Sequence, residues 1–137
     1  MKANKHLLLW SSLAALAVLV WAAVHENYLS DWRVIQRQIQ ARLPASEADA
    51  FALQLRQIVS RETGATDRCV SCHAGMAPGE NGIAGDRLYG RHSDVVHEPA
   101  AYGCTVCHSG QGRATDIADA HGKVPHWPEP MLPKSYL

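Results

Sequence analysis

Apolar residues along this chain are concentrated in one block and thinly spread elsewhere. Leu7 to Val24 runs for 18 residues without a charge. As a helix it would measure about 27 Å, close to the hydrocarbon thickness of a bilayer. Trp10 and Trp21 stand near its two ends, at the depth where amphipathic rings collect. Beyond the block, Tyr28, Trp32, Ile35, Ile39 and Leu43 recur at helical spacing, with Arg33, Gln36, Arg37 and Gln40 between them. Pro44 closes that stripe, because it cannot donate the next backbone bond. Ser46 is expected to cap a second helix, with Asp49 three residues on and Glu47 at the positive end of the dipole. Phe51, Leu55, Ile58 and Val59 form its stripe, and Gly64 is its stop. The two helices are expected to pack as a hairpin or to dock against partner subunits.

After Gly64 the periodicity is gone. All ten glycines lie at or after Gly64, and only one of the seven prolines precedes Pro78. Without the apolar block, 119 residues remain, with too little apolar mass in their second half to fold on packing alone. The expected fold is therefore mainly α with a loop-rich C-terminal half. Residues 1–25 are a cytoplasmic N-terminus and transmembrane anchor, 26–63 a helical hairpin or linker, and 64–137 a compact domain held by something besides its own side chains.

Charge narrows the partners. Thirteen Lys+Arg balance thirteen Asp+Glu, which removes any net electrostatic basis for binding nucleic acid or anionic lipid. Locally the charges are asymmetric: Lys2 and Lys5 precede the apolar block, and Glu26 and Asp31 follow it. The positive-inside rule then places Met1 in the cytoplasm and everything after His25 across the membrane. A cleaved signal peptide is the alternative, with small residues around Val20-Trp21-Ala22. The apolar run exceeds a usual signal h-region, which favours a retained single-pass anchor through residues 7–24.

The chemistry lies in two short motifs. Cys69-Val-Ser-Cys-His73 and Cys104-Thr-Val-Cys-His108 are two copies of C-x-x-C-H, the attachment pattern of c-type haem. Two thiols one helical turn apart reach the two vinyl groups on one edge of a porphyrin, and the adjacent His reaches its iron. Cys69, Cys72, Cys104 and Cys107 would all be consumed as thioethers, with His73 and His108 as proximal ligands. A zinc site built from two C-x-x-C pairs leaves both following histidines without a role. A thioredoxin-like redox pair needs a βαβ context, which this Gly-rich stretch lacks. Disulfides within each C-x-x-C would staple very little chain. The expected cofactors are thus two covalently bound c-type haems, whose apolar faces supply the missing core. Haem attachment on the outer face of a bacterial inner membrane agrees with the topology from the lysines.

Each iron needs a sixth ligand. His6 and His25 flank the membrane block, leaving His92, His97, His121 and His126 within the motif region. Imidazole is favoured over thioether, since Met76 follows His73 too closely and Met131 stands in the Pro-rich tail. His97, twenty-four residues after His73 and seven before Cys104, reaches naturally for the first haem, with ligation of the second as the geometric alternative. His121, thirteen residues after His108 and flanked by Gly110, Gly112 and Gly122, can loop around the second. His97 and His121 are accordingly the expected distal ligands, with His92 and His126 in reserve. Arg68, Arg87, Arg91 and Arg113 are candidate partners for haem propionates. Pro125 to Pro133 is expected to run extended, with Trp127 as its anchor.

The motif contexts carry a resemblance. Asp67-Arg-Cys-Val-Ser-Cys-His-Ala-Gly75 resembles the first haem motif of multihaem cytochromes c of bacterial respiratory membranes. Tyr102-Gly-Cys-Thr-Val-Cys-His-Ser-Gly-Gln-Gly-Arg-Ala-Thr115 is similar to the second. That group often carries His-Pro pairs between its motifs and a His after the second. The corresponding positions here are His92-Ser, His97-Glu-Pro, His121-Gly and His126-Trp, with the Pro displaced or missing. The resemblance covers residues 56 to 133 and implies one-electron transfer beside a quinol-oxidising or terminal respiratory complex. Membrane protein subunits and redox proteins are then the partners, with no nucleic acid and no small-molecule substrate. Two other functions stay open at this point. One is a small haem enzyme with an open coordination position near Glu98, and the other is an accessory subunit whose main role is assembly.

Overall fold

The computed structural model describes residues 2–136; Met1, expected in the cytoplasm, and the final Leu137 lie outside the described residues. Two compact units are present, one running to Ser30 and one from Asp31 onward.

The first unit is a single rod. Helix α1, Lys2–Val24, continues into one π-helical turn, His25–Leu29. Leu7, Leu8, Trp10, Val18, Leu19 and Trp21 are all exposed along it. It is long and apolar enough to cross a membrane by length and composition.

The second unit is built around α2, Asp31–Gln40. Its apolar stripe turns inward as expected, with Trp32 and Ile39 buried and Ile35 and Leu43 packed at the edge of the Ile39, Phe51 and Ala74 cluster. Tyr28 falls in the π turn instead, exposed. The stripe also buries one polar residue fully. Gln36 donates from Nε2 to the Gln54 and Ser71 carbonyls at 2.8 and 2.7 Å, and its Oε1 accepts from the Gln54 N–H at 2.9 Å. A buried amide is tolerated only when its atoms are paired, and here the pairing ties α2 to two other segments.

The second helix departs from expectation. Helix α3 spans only Ala45–Ala50, with Pro44 rather than Ser46 at its N-cap and no side-chain capping bond. The Glu47 and Ala48 N–H groups take the Pro44 carbonyl instead. Past Ala50 the chain is extended, and Ile58–Val59 form β1, paired antiparallel with β2, Thr66–Asp67. Arg56, Ile58 and Ser60 are buried while Leu55, Gln57 and Val59 between them are exposed, the alternation of a strand and not the stripe of a helix. Two long-range anchors hold it open: Gln36 occupies the Gln54 backbone, and the Ser71 hydroxyl bridges Arg56, accepting from its N–H at 2.9 Å and donating to its carbonyl at 2.6 Å. Gly64 terminates no helix; it closes the β1–β2 turn at φ +68°.

Four short helices follow: α4 Cys69–Cys72, α5 Pro99–Tyr102, α6 Thr105–His108 and α7 Ile117–Ala120. Helical segments hold 48% of the chain, so it is mainly α with a loop-rich second half. The distribution of burial is uneven. The fully buried members of the clusters around Ile39 and Ile58 end at Ala77; beyond it Leu88, Tyr89 and Cys104 pack half-buried against them, and among the described residues there only glycines are buried. Nearly half the chain therefore has no side-chain core of its own.

Candidate functional site

The two C-x-x-C-H segments meet through one carboxylate. Asp67, 2% exposed at the end of β2, accepts the Cys69 N–H on Oδ1 at 3.1 Å. Its Oδ2 accepts the Cys104 and Thr105 N–H groups at 2.9 and 2.8 Å. One side chain thus caps the start of both α4 and α6, as helix N-termini favour. Gly103, at φ +84°, makes the turn that delivers Cys104 to this carboxylate, and a Cβ there would stand 3.3 Å from the Asp67 side chain. The Arg68 N–H reaches the Gly112 carbonyl at 2.6 Å and fixes the register from the other side. Sequence reasoning missed this clamp. The signal was present as an Asp two residues before a helix-starting Cys, but its second client lies 37 residues away.

Burial alone would raise the Asp67 carboxyl; bonds from the Cys69 thiol and the Cys69 and Thr105 N–H groups outweigh it and hold the group below its ordinary value. Asp67→Ala is expected to cost about 3 kcal/mol, because it orphans three backbone donors, and Asp67→Asn about half that. Since the native value lies below the unfolded one, the contribution is fully present above the ordinary carboxylate range and is lost as pH falls through the native value. Urea midpoints measured from neutral to acid pH check both statements. An unchanged midpoint in Asp67→Ala contradicts them.

Asp67, Cys69 and Cys104 bring one carboxylate and two thiols within 4.8 Å of one another. The Cys69 thiol is pushed strongly upward by its hydrogen bond with Cys104, by burial and by Asp67. Cys72 is pushed up to about 11 by burial and then by the Asp31 and Asp116 charges. Both are neutral thiols at physiological pH, the opposite of what a nucleophilic or redox-exchanging cysteine requires. Cys107 is exposed.

The histidines pair off, each motif His with one from outside the motifs. His73 faces His121 with ring centres 6.4 Å apart, and His108 faces His92 at 6.0 Å. His97 is not opposite either motif; its ring lies edge-on to Tyr102 at 5.6 Å. His126 is exposed. The placement differs from the expected one: His121 stands across from the first motif, where His97 was expected, and His92 stands across from the second, where His121 was expected. Loop length had suggested local ligation, whereas the backbone crosses. The tail is laced to this region, with the Met131 N–H on the His121 carbonyl at 3.0 Å and the Leu132 N–H on the His108 carbonyl at 2.8 Å. Trp127 is half-buried and donates to the Glu129 carbonyl at 2.7 Å.

Protein-family models, curated proteins and solved structures contain no match to this chain. Its chemistry must be judged on these residues alone.

The residues fit a metal carried between imidazoles. With metal–nitrogen bonds of about 2.0 Å, two imidazoles on opposite sides of one metal have ring centres roughly 6 Å apart, whatever angle their planes make. Both pairs meet that distance. His92 Nδ1 lies 2.7 Å from the Ser93 carbonyl oxygen. A carbonyl only accepts, so Nδ1 carries a proton and Nε2 is the ring nitrogen left for a metal, the second-sphere arrangement of metal-binding histidines. Desolvation, then the nearby His121 and His108 rings, hold His73 below its ordinary value and favour its neutral form. Arg68 donates from Nη1 to the Arg113 carbonyl at 3.0 Å, and its buried Nε has no partner among the described residues, a spare donor for a carboxylate.

Proposed function

We propose that this protein is a membrane-anchored dihaem cytochrome c that passes single electrons between respiratory partners. One observation carries the proposal: each C-x-x-C-H histidine faces a second histidine at the separation a shared metal requires. In this assignment Cys69 and Cys72 hold the first haem, with His73 and His121 on its iron. Cys104 and Cys107 hold the second, with His108 and His92.

Haem, when bound, supplies a one-electron ferric/ferrous couple. The chain's own residues do the rest. Four imidazoles would hold the two irons, two to each, and would leave no place for substrate on the metal, which favours an electron carrier over a small haem enzyme. Asp67 keeps the first cysteines of the two motifs side by side, where they would hold two haems that supply a one-electron path. The covalent links and the four histidines replace the core that residues beyond Ala77 lack. Arg68 and its neighbours are the propionate partners. Helix α1, retained as a single-pass anchor of a bacterial inner membrane with its N-terminus cytoplasmic, holds the carrier beside membrane subunits that donate or accept electrons.

Spectroscopy of detergent-extracted protein tests this. Both haems should be low-spin in the oxidised and reduced states, and the reduced protein should not react with carbon monoxide. A high-spin haem that binds carbon monoxide in the wild type would contradict the carrier assignment in favour of an enzyme with an open position.

A further inference from the structure

We infer that Asp31 is a positioning residue for His121, and that α2 is the bracket that sets the His73–His121 gap; the inference rests on the haem assignment just proposed. Asp31, the first residue of α2, accepts the Ile117 N–H on Oδ2 at 2.8 Å, across 86 residues of sequence. Ile117 opens α7, and the next N–H, that of Ala118, is taken by Asp116 Oδ1 at 2.9 Å. A helix of four residues does not persist on its own backbone bonds, so α7 depends on these two carboxylates at its start and on the Gln111 N–H at the Ala120 carbonyl. His121 follows directly, and its N–H returns to the Ile117 carbonyl at 3.1 Å, back to the residue that Asp31 holds.

The other half of the pair hangs from the same helix. Gln36 of α2 donates to the Ser71 carbonyl at 2.7 Å, inside α4 and two residues before His73. Asp31 and Gln36 are about 7.5 Å apart along the helix axis. The helix α2 therefore carries both elements that bring His73 and His121 to face each other, and it does so from a position that touches neither ring.

Asp31→Ala and Asp31→Asn test the positioning role. Asp31→Ala should raise the fraction of carbon-monoxide-reactive haem at least about tenfold, the loss expected when a charged acceptor is removed. Asp31→Asn, which keeps an acceptor oxygen, should stay close to the wild type in that assay. In a His121→Ala background Asp31→Ala should add nothing to the reactive fraction, because the ligand it positions is already gone. Wild-type reactivity in Asp31→Ala, or equal reactivity in both single variants, overturns the positioning role. Should Asp31→Ala fail to mature, Ile117→Pro, which removes the N–H that Asp31 accepts at a helix position where proline is tolerated, takes its place, and wild-type reactivity there overturns the role. A wild-type chain without haem instead defeats the assignment on which the inference stands.

Discussion

His121→Ala and His92→Ala are each expected to convert one of the two haems from low-spin to high-spin and make it bind carbon monoxide. His97→Ala and His126→Ala are expected to leave both haems low-spin. The contrast follows from placement: His121 and His92 face the motif histidines at 6.4 and 6.0 Å, while His97 lies against Tyr102 and His126 is exposed. The assignment can be made haem by haem. His121→Ala combined with the loss of Cys104 and Cys107 should leave a single haem that is reactive, because the haem held by Cys69 and Cys72 would have lost its second ligand. His121→Met should keep that haem six-coordinate and raise its potential, since a thioether favours the ferrous iron. Low-spin spectra in His121→Ala together with a high-spin haem in His97→Ala would reverse the pairing.

Removing the second haem altogether, by Cys104→Ala with Cys107→Ala, is expected to destabilise the second unit by more than about 4 kcal/mol, as loss of a cofactor that serves as core does. Residues beyond Ala77 bury no side chain of their own among the described residues, so nothing else replaces it. The remaining haem should suffer as well. His121 is held by the backbone around the second motif, through the Gln111 N–H on the Ala120 carbonyl at 2.9 Å and the tail strand on His108 and His121. The variant should therefore be cleaved far faster by protease between residues 78 and 136, and its surviving haem should become partly reactive to carbon monoxide. Protease half-lives and carbon-monoxide difference spectra measure both effects. A variant as protease-resistant as the wild type would show that the loop-rich half stands without its cofactor.

What could be read from the sequence was whatever depends on neighbours within one or two helical turns. The apolar block of α1, the Trp32 and Ile39 face of α2 and the two C-x-x-C-H motifs are all of this kind. What could not be read was decided by partners far along the chain. The stripe at Phe51, Leu55, Ile58 and Val59 satisfies a helical pattern, yet Gln36 and Ser71 take the Gln54 and Arg56 backbone and hold it extended. Ser46 and Asp49 have the composition of a capping box, but Pro44 starts the helix one residue before Ser46. The histidine partners escaped for the same reason. Loop length bounds where His121 can reach, but its neighbours are tied to partners outside that loop, the Ile117 N–H to Asp31 and the His121 carbonyl to the Met131 N–H.

The mass of the intact chain under denaturing conditions tests the central claim most directly. Two thioether-linked haems survive denaturation, so the chain should be heavier than its polypeptide by two haems, with all four cysteines unreactive to alkylation. A polypeptide at its bare mass, with four thiols free to alkylate, would contradict the account.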